Sequence, residues 1–422
     1  MKQARPYPKV VVTRKAARSL KAGHPWVFEG EVISLEPAAD GTPVTNGGVV
    51  DVFEENGTWQ GAGLISEQSK IRVRIVTRNA NDRIDEAFWA RRVSYAWNHR
   101  RVAMGSRALP GCEPDTNACR AVFSEADQMP GLIVDRYENV LVTQVGTVGM
   151  ELLRPVIYPL LLNTLQADGQ NVTAIYERND SPSRAKEGLP QYKGWWDGEG
   201  AEVPASPRIM VAENGLKFDL DIENSQKTGF FLDQKYNRRA VAKLAAGRHV
   251  LDCFTHTGSF ALNAASGGAA YVNAVDISQL AVDQARKNAQ LNGLEGKMDF
   301  TAANVFDLLT DLDAKRDRTY DFIVLDPPAF TKSRKTINQA ARGYKEINYR
   351  AMKLLPRGGY LATCSCSHFM DTDRFKRVVA SAAHDAGVQL RQIEERQQAP
   401  DHPIVWGIPE TNYLKFFIFQ VV

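Results

Sequence analysis

Apolar and polar positions follow a short period in the first 77 residues. Segments 9–12, 48–53, 59–65 and 71–76 are rich in Val, Ile and aromatic side chains and are cut apart by Gly, Asn and Pro. That spacing predicts the short strands of a small β-barrel. Between 82 and 104 the period lengthens: Ile84, Phe88, Val93, Trp97 and Val102 approximate one helical face, with Arg91, Arg92, Arg100 and Arg101 elsewhere. From about 120 to 205 strands at 131–137, 140–145 and 171–177 alternate with one helix over roughly 151–166. Residues 194–207, with two Trp, three Gly and two Pro, read as irregular chain near a boundary.

From about 208 the pattern becomes βαβ. Strands at 249–252, 270–275, 298–302, 320–325 and 359–363 alternate with helices at 259–265, 278–292 and 340–355, and 413–422 reads as a last strand buried on both faces. The expected fold is α/β: a doubly wound Rossmann-like sheet over 208–422, preceded by a β-barrel over 1–77 and a small α+β middle domain over 78–207.

At 422 residues, 44% hydrophobic and 24% charged, the chain is long enough for two or three globular domains. The net charge of +3 is small, so a nucleic-acid surface requires uneven distribution. Two stretches supply it. Lys2, Arg5, Lys9, Arg14, Lys15, Arg18 and Lys21 precede the first acid, Glu29, and 332–357 carries eight basic residues beginning at Lys332 against the single acid Glu346. Five cysteines and the lack of a secretory h-region suggest a reducing, cytoplasmic setting, and no apolar run reaches membrane-spanning length. No metal is expected: Cys364 and Cys366 have one residue between them, Cys112 and Cys119 six, and neither spacing suits zinc. Cys112 and Cys119 read as spare thiols in a Gly/Pro-rich loop.

In open α/β sheets ligands bind beyond the carboxyl ends of the strands. Asp252-Cys253-Phe254-Thr255-His256-Thr257-Gly258-Ser259 falls there after the first strand, with Gly258 expected to let backbone approach a ligand. Asp276, 24 residues after Asp252, ends the second strand, where a carboxylate can accept from ribose hydroxyls; Asn304, after the third, could meet an adenine edge. A dinucleotide pyrophosphate requires three glycines where this turn has one, so an adenosine cofactor without phosphate, S-adenosylmethionine, fits better than NAD. His256 reads as a loop residue.

The chemistry is expected at Asp326-Pro327-Pro328-Ala329-Phe330 and Thr363-Cys364-Ser365-Cys366-Ser367, both at strand ends. The prolines restrict the backbone that carries Asp326. Cys364 and Cys366 alternate by two and would point the same way. Cytosine C5 is a weak nucleophile until a thiolate adds at C6, and an acid at N3 assists that addition, so a Cys/Asp pair beside S-adenosylmethionine points to pyrimidine C5 methylation.

With these residues in view, the chain resembles the RlmI-type, class I S-adenosylmethionine-dependent methyltransferases, which make 5-methylcytosine in bacterial 23S rRNA. The resemblance spans the whole chain. It is carried by Gly23-His24-Pro25-Trp26-Val27-Phe28, which is similar to a PUA-domain signature, by Ser124 to Tyr137 (SEADQMPGLIVDRY), and by Lys227-Thr228-Gly229-Phe230-Phe231-Leu232-Asp233-Gln234. It implies cofactor contacts at Asp252, Gly258, Asp276, Asn304 and Gln234, and catalysis by Asp326 with Cys366 as nucleophile and Cys364 as the second candidate. It further implies RNA as partner, 23S rRNA or a large-subunit precursor, in the cytoplasm and away from membranes, with a homodimer left open. The competing expectations are a guanine-nitrogen methyltransferase and a non-enzymatic RNA-binding assembly factor.

Overall fold

The computed structural model describes residues 5–105, 107, 109–331 and 333–422; Lys2 and Lys332 of the basic stretches lie outside the described residues. The first strands are β1 (Lys9–Val12), β2 (Trp26–Phe28), β3 (Val32–Glu36), β4 (Val49–Glu54), β5 (Trp59–Ile65) and β6 (Ile71–Thr77). They form one six-stranded sheet ordered β2-β6-β5-β4-β1-β3. The short turn over Glu29–Glu31 joins its two edge strands, and the sheet curls around Val10, Val12, Val27, Val50, Val52 and Val73. A helix absent from the sequence reading, α1 (Arg14–Lys21), packs against it. Thr13 caps it by accepting from Ala16 N, with Ala16, Ala17 and Leu20 inward and Arg14, Lys15, Arg18 and Lys21 outward.

The middle unit is made of α2 (Glu86–Gly105), β7 (Ala118–Phe123), β8 (Leu132–Tyr137), β9 (Val140–Val145), α3 (Val148–Ala167), β10 (Ala174–Asn179) and β11 (Tyr192–Trp195), its sheet ordered β11-β10-β9-β8-β7. Three expectations are corrected here. Arg100 is fully buried on the inner face of α2, because both its terminal nitrogens pair with Asp127 at 2.7 Å. Val102, expected inward, is 68% exposed. Cys119 lies buried within β7 and packs in the core, so only Cys112 is in the loop.

A hairpin follows, β12 (Arg208–Glu213) and β13 (Leu216–Asp221), turning at Asn214-Gly215 with φ of +56° and +80°. The remaining elements are α4 (Lys235–Leu244), β14 (His249–Cys253), α5 (Ser259–Ser266), β15 (Tyr271–Asp276), α6 (Gln279–Leu291), β16 (Met298–Ala302), α7 (Val305–Ala314), β17 (Phe322–Leu325), α8 (Ile337–Leu354), β18 (Tyr360–Ser365), α9 (Thr372–Ala386), β19 (Leu390–Arg396) and β20 (Lys415–Val421). They build a seven-stranded sheet ordered β16-β15-β14-β17-β18-β20-β19, parallel except where β20 runs against β18 and β19. Separate apolar cores cover its two faces, which is why these strands read as nearly continuous hydrophobic runs. Chain order reverses between β14 and β17, and the switch point opens beyond their carboxyl ends.

Candidate functional site

Asp252, Asp276, Asp326, Cys364 and Cys366 all fall at or just past the carboxyl ends of β14, β15, β17 and β18. The parallel pairing brings these ends to one edge: Asp252 is in register with Val324 and Leu325 with Thr363.

Asp252 is fully buried. Its Oδ2 accepts from Thr255 Oγ1 at 2.5 Å and from Ala261 N at 2.9 Å, while Oδ1 has no partner. Burial, with Asp326 and Asp276 nearby, pushes its carboxyl up to about 7 against the lowering effect of those hydrogen bonds. The turn after β14 takes positive φ at Phe254, His256 and Gly258, and His256 donates its backbone N–H to Asp276 Oδ2 at 2.9 Å. Gly258 also meets a packing demand. A Cβ there would lie 2.7 Å from Leu262 Cδ1 and 2.9 Å from Ala285 Cβ, so the glycine permits the close approach of α6 to the turn.

Asp276 uses its other oxygen, Oδ1, to accept from Ser278 N at 2.9 Å. Ile277 beside it is 75% exposed and offers an apolar surface at the same edge. Asn304 is exposed and caps α7, its Oδ1 accepting from Phe306 N at 3.0 Å, which leaves its amide N–H groups and one Oδ1 lone pair for a ligand. Gln234 reaches Asp326 and Cys364. Its Nε2 donates to Asp326 Oδ1 at 3.2 Å and reaches Cys364 Sγ at 3.5 Å, and its Oε1 accepts from Asn237 Nδ2 at 2.6 Å. It positions the Asp326 carboxylate.

The two cysteines differ sharply. Cys364 is sealed, donating to Asp326 Oδ1 at 2.9 Å, and burial together with Asp326 pushes its thiol well up. Cys366 is partly exposed, its Sγ 4.0 Å from Pro327 O. Burial and the Asp326 charge push it up to about 11, while Lys227 and Lys415 pull it down. Asp326 itself is raised, chiefly by burial. Both its protein bonds go to Oδ1, so among the described residues Oδ2 keeps its lone pairs.

Two lysines were missed. Lys227 is exposed, with Nζ 4.7 Å from the centre of the Phe231 ring. Lys415 is buried and donates to Ser367 O and Tyr413 O, each at 2.7 Å; burial pushes it down to about 8. A single lysine opening the strand Phe416-Phe417-Ile418-Phe419 was the available signal, since buried lysines are rare unless paired.

A family model described as S-adenosylmethionine-dependent methyltransferase matches residues 192–418, and a PUA-like domain model matches 10–78. Ribosomal RNA large subunit methyltransferase I from Shewanella amazonensis is 42% identical over 405 residues, covering 96% of this chain and 97% of its own. The chain belongs to this methyltransferase family. The Klebsiella pneumoniae relative of the same name is 37% identical over 417 residues, 99% of each chain. Among solved structures, a putative S-adenosylmethionine-dependent methyltransferase from Streptococcus mutans superimposes with a TM-score of 0.78 at 20% identity over 98% of this chain and 100% of its own. A putative methyltransferase complexed with SAH gives 0.79 at 19% identity, with the same coverage. These two establish the fold.

The protein is thus an S-adenosylmethionine-dependent methyltransferase. The residues present fit that cofactor. The orphaned Asp252 Oδ1 can accept from the cofactor's ammonium, Asp276 retains acceptor capacity for ribose hydroxyls, and Ile277 can cover an adenine face. Among the described residues no group of His, Cys, Asp and Glu could hold a metal, and no helix is long and apolar enough to cross a membrane.

Proposed function

We propose that the enzyme methylates C5 of a cytidine in 23S ribosomal RNA through a covalent bond from Cys366 to C6. The observation that carries this reading is the contrast at Asp326: Cys366 is open to the cleft while Cys364 is sealed and spends its S–H on Asp326 Oδ1. S-adenosylmethionine, when bound, supplies an electrophilic methyl group. The Cys366 proton passes to the Asp326 carboxylate, whose raised affinity for protons suits it to receive one. As sulfur bonds to C6, the proton moves from Asp326 to N3, and C5 becomes an enamine carbon able to take the methyl group. The C5 proton is then lost to solvent, its electron pair re-forms the C5–C6 double bond as Cys366 leaves as thiolate, and Asp326 takes back the proton at N3. Lys227 and Lys415 favour the thiolate in both directions.

The relatives' names and the PUA-like unit support ribosomal RNA as partner and the cytoplasm as site of action. Arg14 and Arg18 face outward on α1 without ion pairs among the described residues, whereas Lys15 pairs with Glu31 and Lys21 with Glu54. The division 1–77, 78–207 and 208–422 suits this reading. The pairing of β11 with β10 and the bridge of Ala174 with Glu202 support a middle domain that continues past Trp195.

The test is incubation of purified protein with labelled S-adenosylmethionine and unmodified 23S rRNA, followed by nucleoside mass spectrometry. We expect 5-methylcytidine, and loss of rate on the order of 10³-fold or more in Cys366→Ala with cofactor affinity retained. Methylguanosine would discard the thiolate mechanism; full activity of Cys366→Ala would move the nucleophile.

A further inference from the structure

We propose that a cavity beside the cysteine segment is a second base-binding subsite, in which an unpaired nucleotide next to the target cytidine stacks on Trp406. The inference rests on the RNA-methylation reading above and extends it to a residue outside the cofactor and cysteine sites.

The cavity has a volume of about 560 Å³, within the range of about 300–1,000 Å³ usual for small-ligand sites, and is lined in part by His368, Asp371, Gln397, Trp406, Asn412 and Lys415. Trp406 is 97% exposed, an unusual placement for the largest apolar side chain. Its backbone is held firmly. Ile408 N donates to Val405 O at 2.8 Å, and Val405 N donates to Thr411 Oγ1 at 2.9 Å. Thr411 Oγ1 in turn donates to Ile408 O at 2.7 Å. Gly407 lies so near the N-terminal unit that a Cβ on it would come within 3.0 Å of Gly23 Cα. A pinned turn that presents an indole to water resembles the aromatic platforms on which unstacked bases rest.

Continuity ties the cavity to the chemistry. Lys415 lines it while holding Ser367 O, next to Cys366, and His368 and Asp371 follow on the same segment. A strand that delivers its cytidine to Cys366 therefore carries an adjacent nucleotide across this cavity. The lining favours a base over a phosphate. The side-chain amides of Gln397 and Asn412 make no hydrogen bond among the described residues and can address a base edge. The carboxylate of Asp371, which caps α9 by accepting from Arg374 N at 2.8 Å, disfavours an anion.

The test compares wild-type protein, Trp406→Ala and Trp406→Phe in titrations with a fluorescein-labelled single-stranded oligocytidylate, followed by anisotropy, and with the unlabelled oligomer, followed by tryptophan emission. Wild type should bind with quenching of part of the emission from its seven tryptophans. Trp406→Ala should bind about 5-fold or more weakly and lose the quenching. Trp406→Phe should recover most of the affinity without the quenching. Equal affinity for S-adenosylmethionine in all three shows that the fold is intact. Unchanged binding and quenching in Trp406→Ala, or no binding by the wild type, overturns the subsite. Binding and quenching as expected, with no 5-methylcytidine formed from 23S rRNA, overturns the methylation reading and leaves the platform standing.

Discussion

At Asp252 one carboxylate oxygen is bonded twice and the other is buried with no partner. The folded chain therefore resists ionising it, and its carboxyl titrates near about 7 against 3.8 as its ordinary value. The sign follows from linkage: between these values the native state binds the proton and the unfolded state does not, so stability falls as pH rises from about 4 to about 7. Asp252→Asn, which cannot ionise, is expected to melt several degrees above wild type at pH 7.5 without cofactor and to match it near pH 4. The same variant should lose S-adenosylmethionine binding. Thermal melts across that pH range check the prediction, and a constant offset at every pH would sink it. The placing of such residues was legible because a lone acid at the end of an apolar strand stands out: the strand-end positions of Asp252, Asp276 and Asp326 were all read that way. Gln234 and Lys227 were not, since nothing in one dimension shows that Gln234 crosses to Asp326 or that Lys227 faces Cys366. Arg100 was misplaced for the related reason that its partner Asp127 lies on another element.

The turn between β14 and α5 is set by contact with a neighbouring helix. Gly258 combines φ of +84° with a Cβ position already occupied by Leu262 and Ala285. Gly258→Ala is therefore expected to destabilise by about 1–3 kcal/mol through overpacking and a further ~1 kcal/mol or more through the left-handed backbone. It should also weaken cofactor binding, because the turn carries Thr255 and His256 with it. Pairing it with Ala285→Gly removes the less flexible of the two clashes, so the double variant should regain part of the binding despite about 1 kcal/mol lost to a helical glycine. Isothermal titration of the three proteins decides it, and no recovery in the double variant would place the effect in the backbone alone. The inner, doubly covered strands of the last sheet were readable because burial on both faces makes uninterrupted apolar runs, whereas the largely exposed edge strand β19 was not read. Short elements were missed: α1 has only two turns, β2 is three residues long and pairs with the distant β6, and β11 has only four residues. The β12–β13 hairpin is different, for Asn214-Gly215 announced it and went unread.

Across the whole molecule, one segment fastens the last sheet to the middle unit. Asp401 is fully buried; its Oδ2 accepts from Arg120 N at 2.9 Å, its Oδ1 pairs with His402 Nδ1 at 2.9 Å, and its carbonyl accepts from Arg100 Nη2 at 2.9 Å. His99 reaches the adjacent Pro400 O at 3.0 Å. Burial alone would raise the Asp401 carboxyl, but His402, Lys235 and the Arg120 N–H outweigh it and hold it down to about 2. Its contribution to stability is therefore present above about pH 4 and is lost as pH falls through about 2. Weakening a buried hydrogen bond to a charged group costs about 1.5–3 kcal/mol. Because the bond from Arg120 N to Asp401 Oδ2 joins two units, the loss should appear in how they unfold together. Calorimetry at pH 7 is expected to show one transition for the wild type and two for Asp401→Asn, the earlier one lower by several degrees, with the difference vanishing near pH 2. Since the same segment continues into the turn that carries Trp406, loosening it should also weaken oligocytidylate binding while cofactor affinity holds. Identical calorimetric profiles for the two proteins at pH 7 would show that the interface is held together elsewhere.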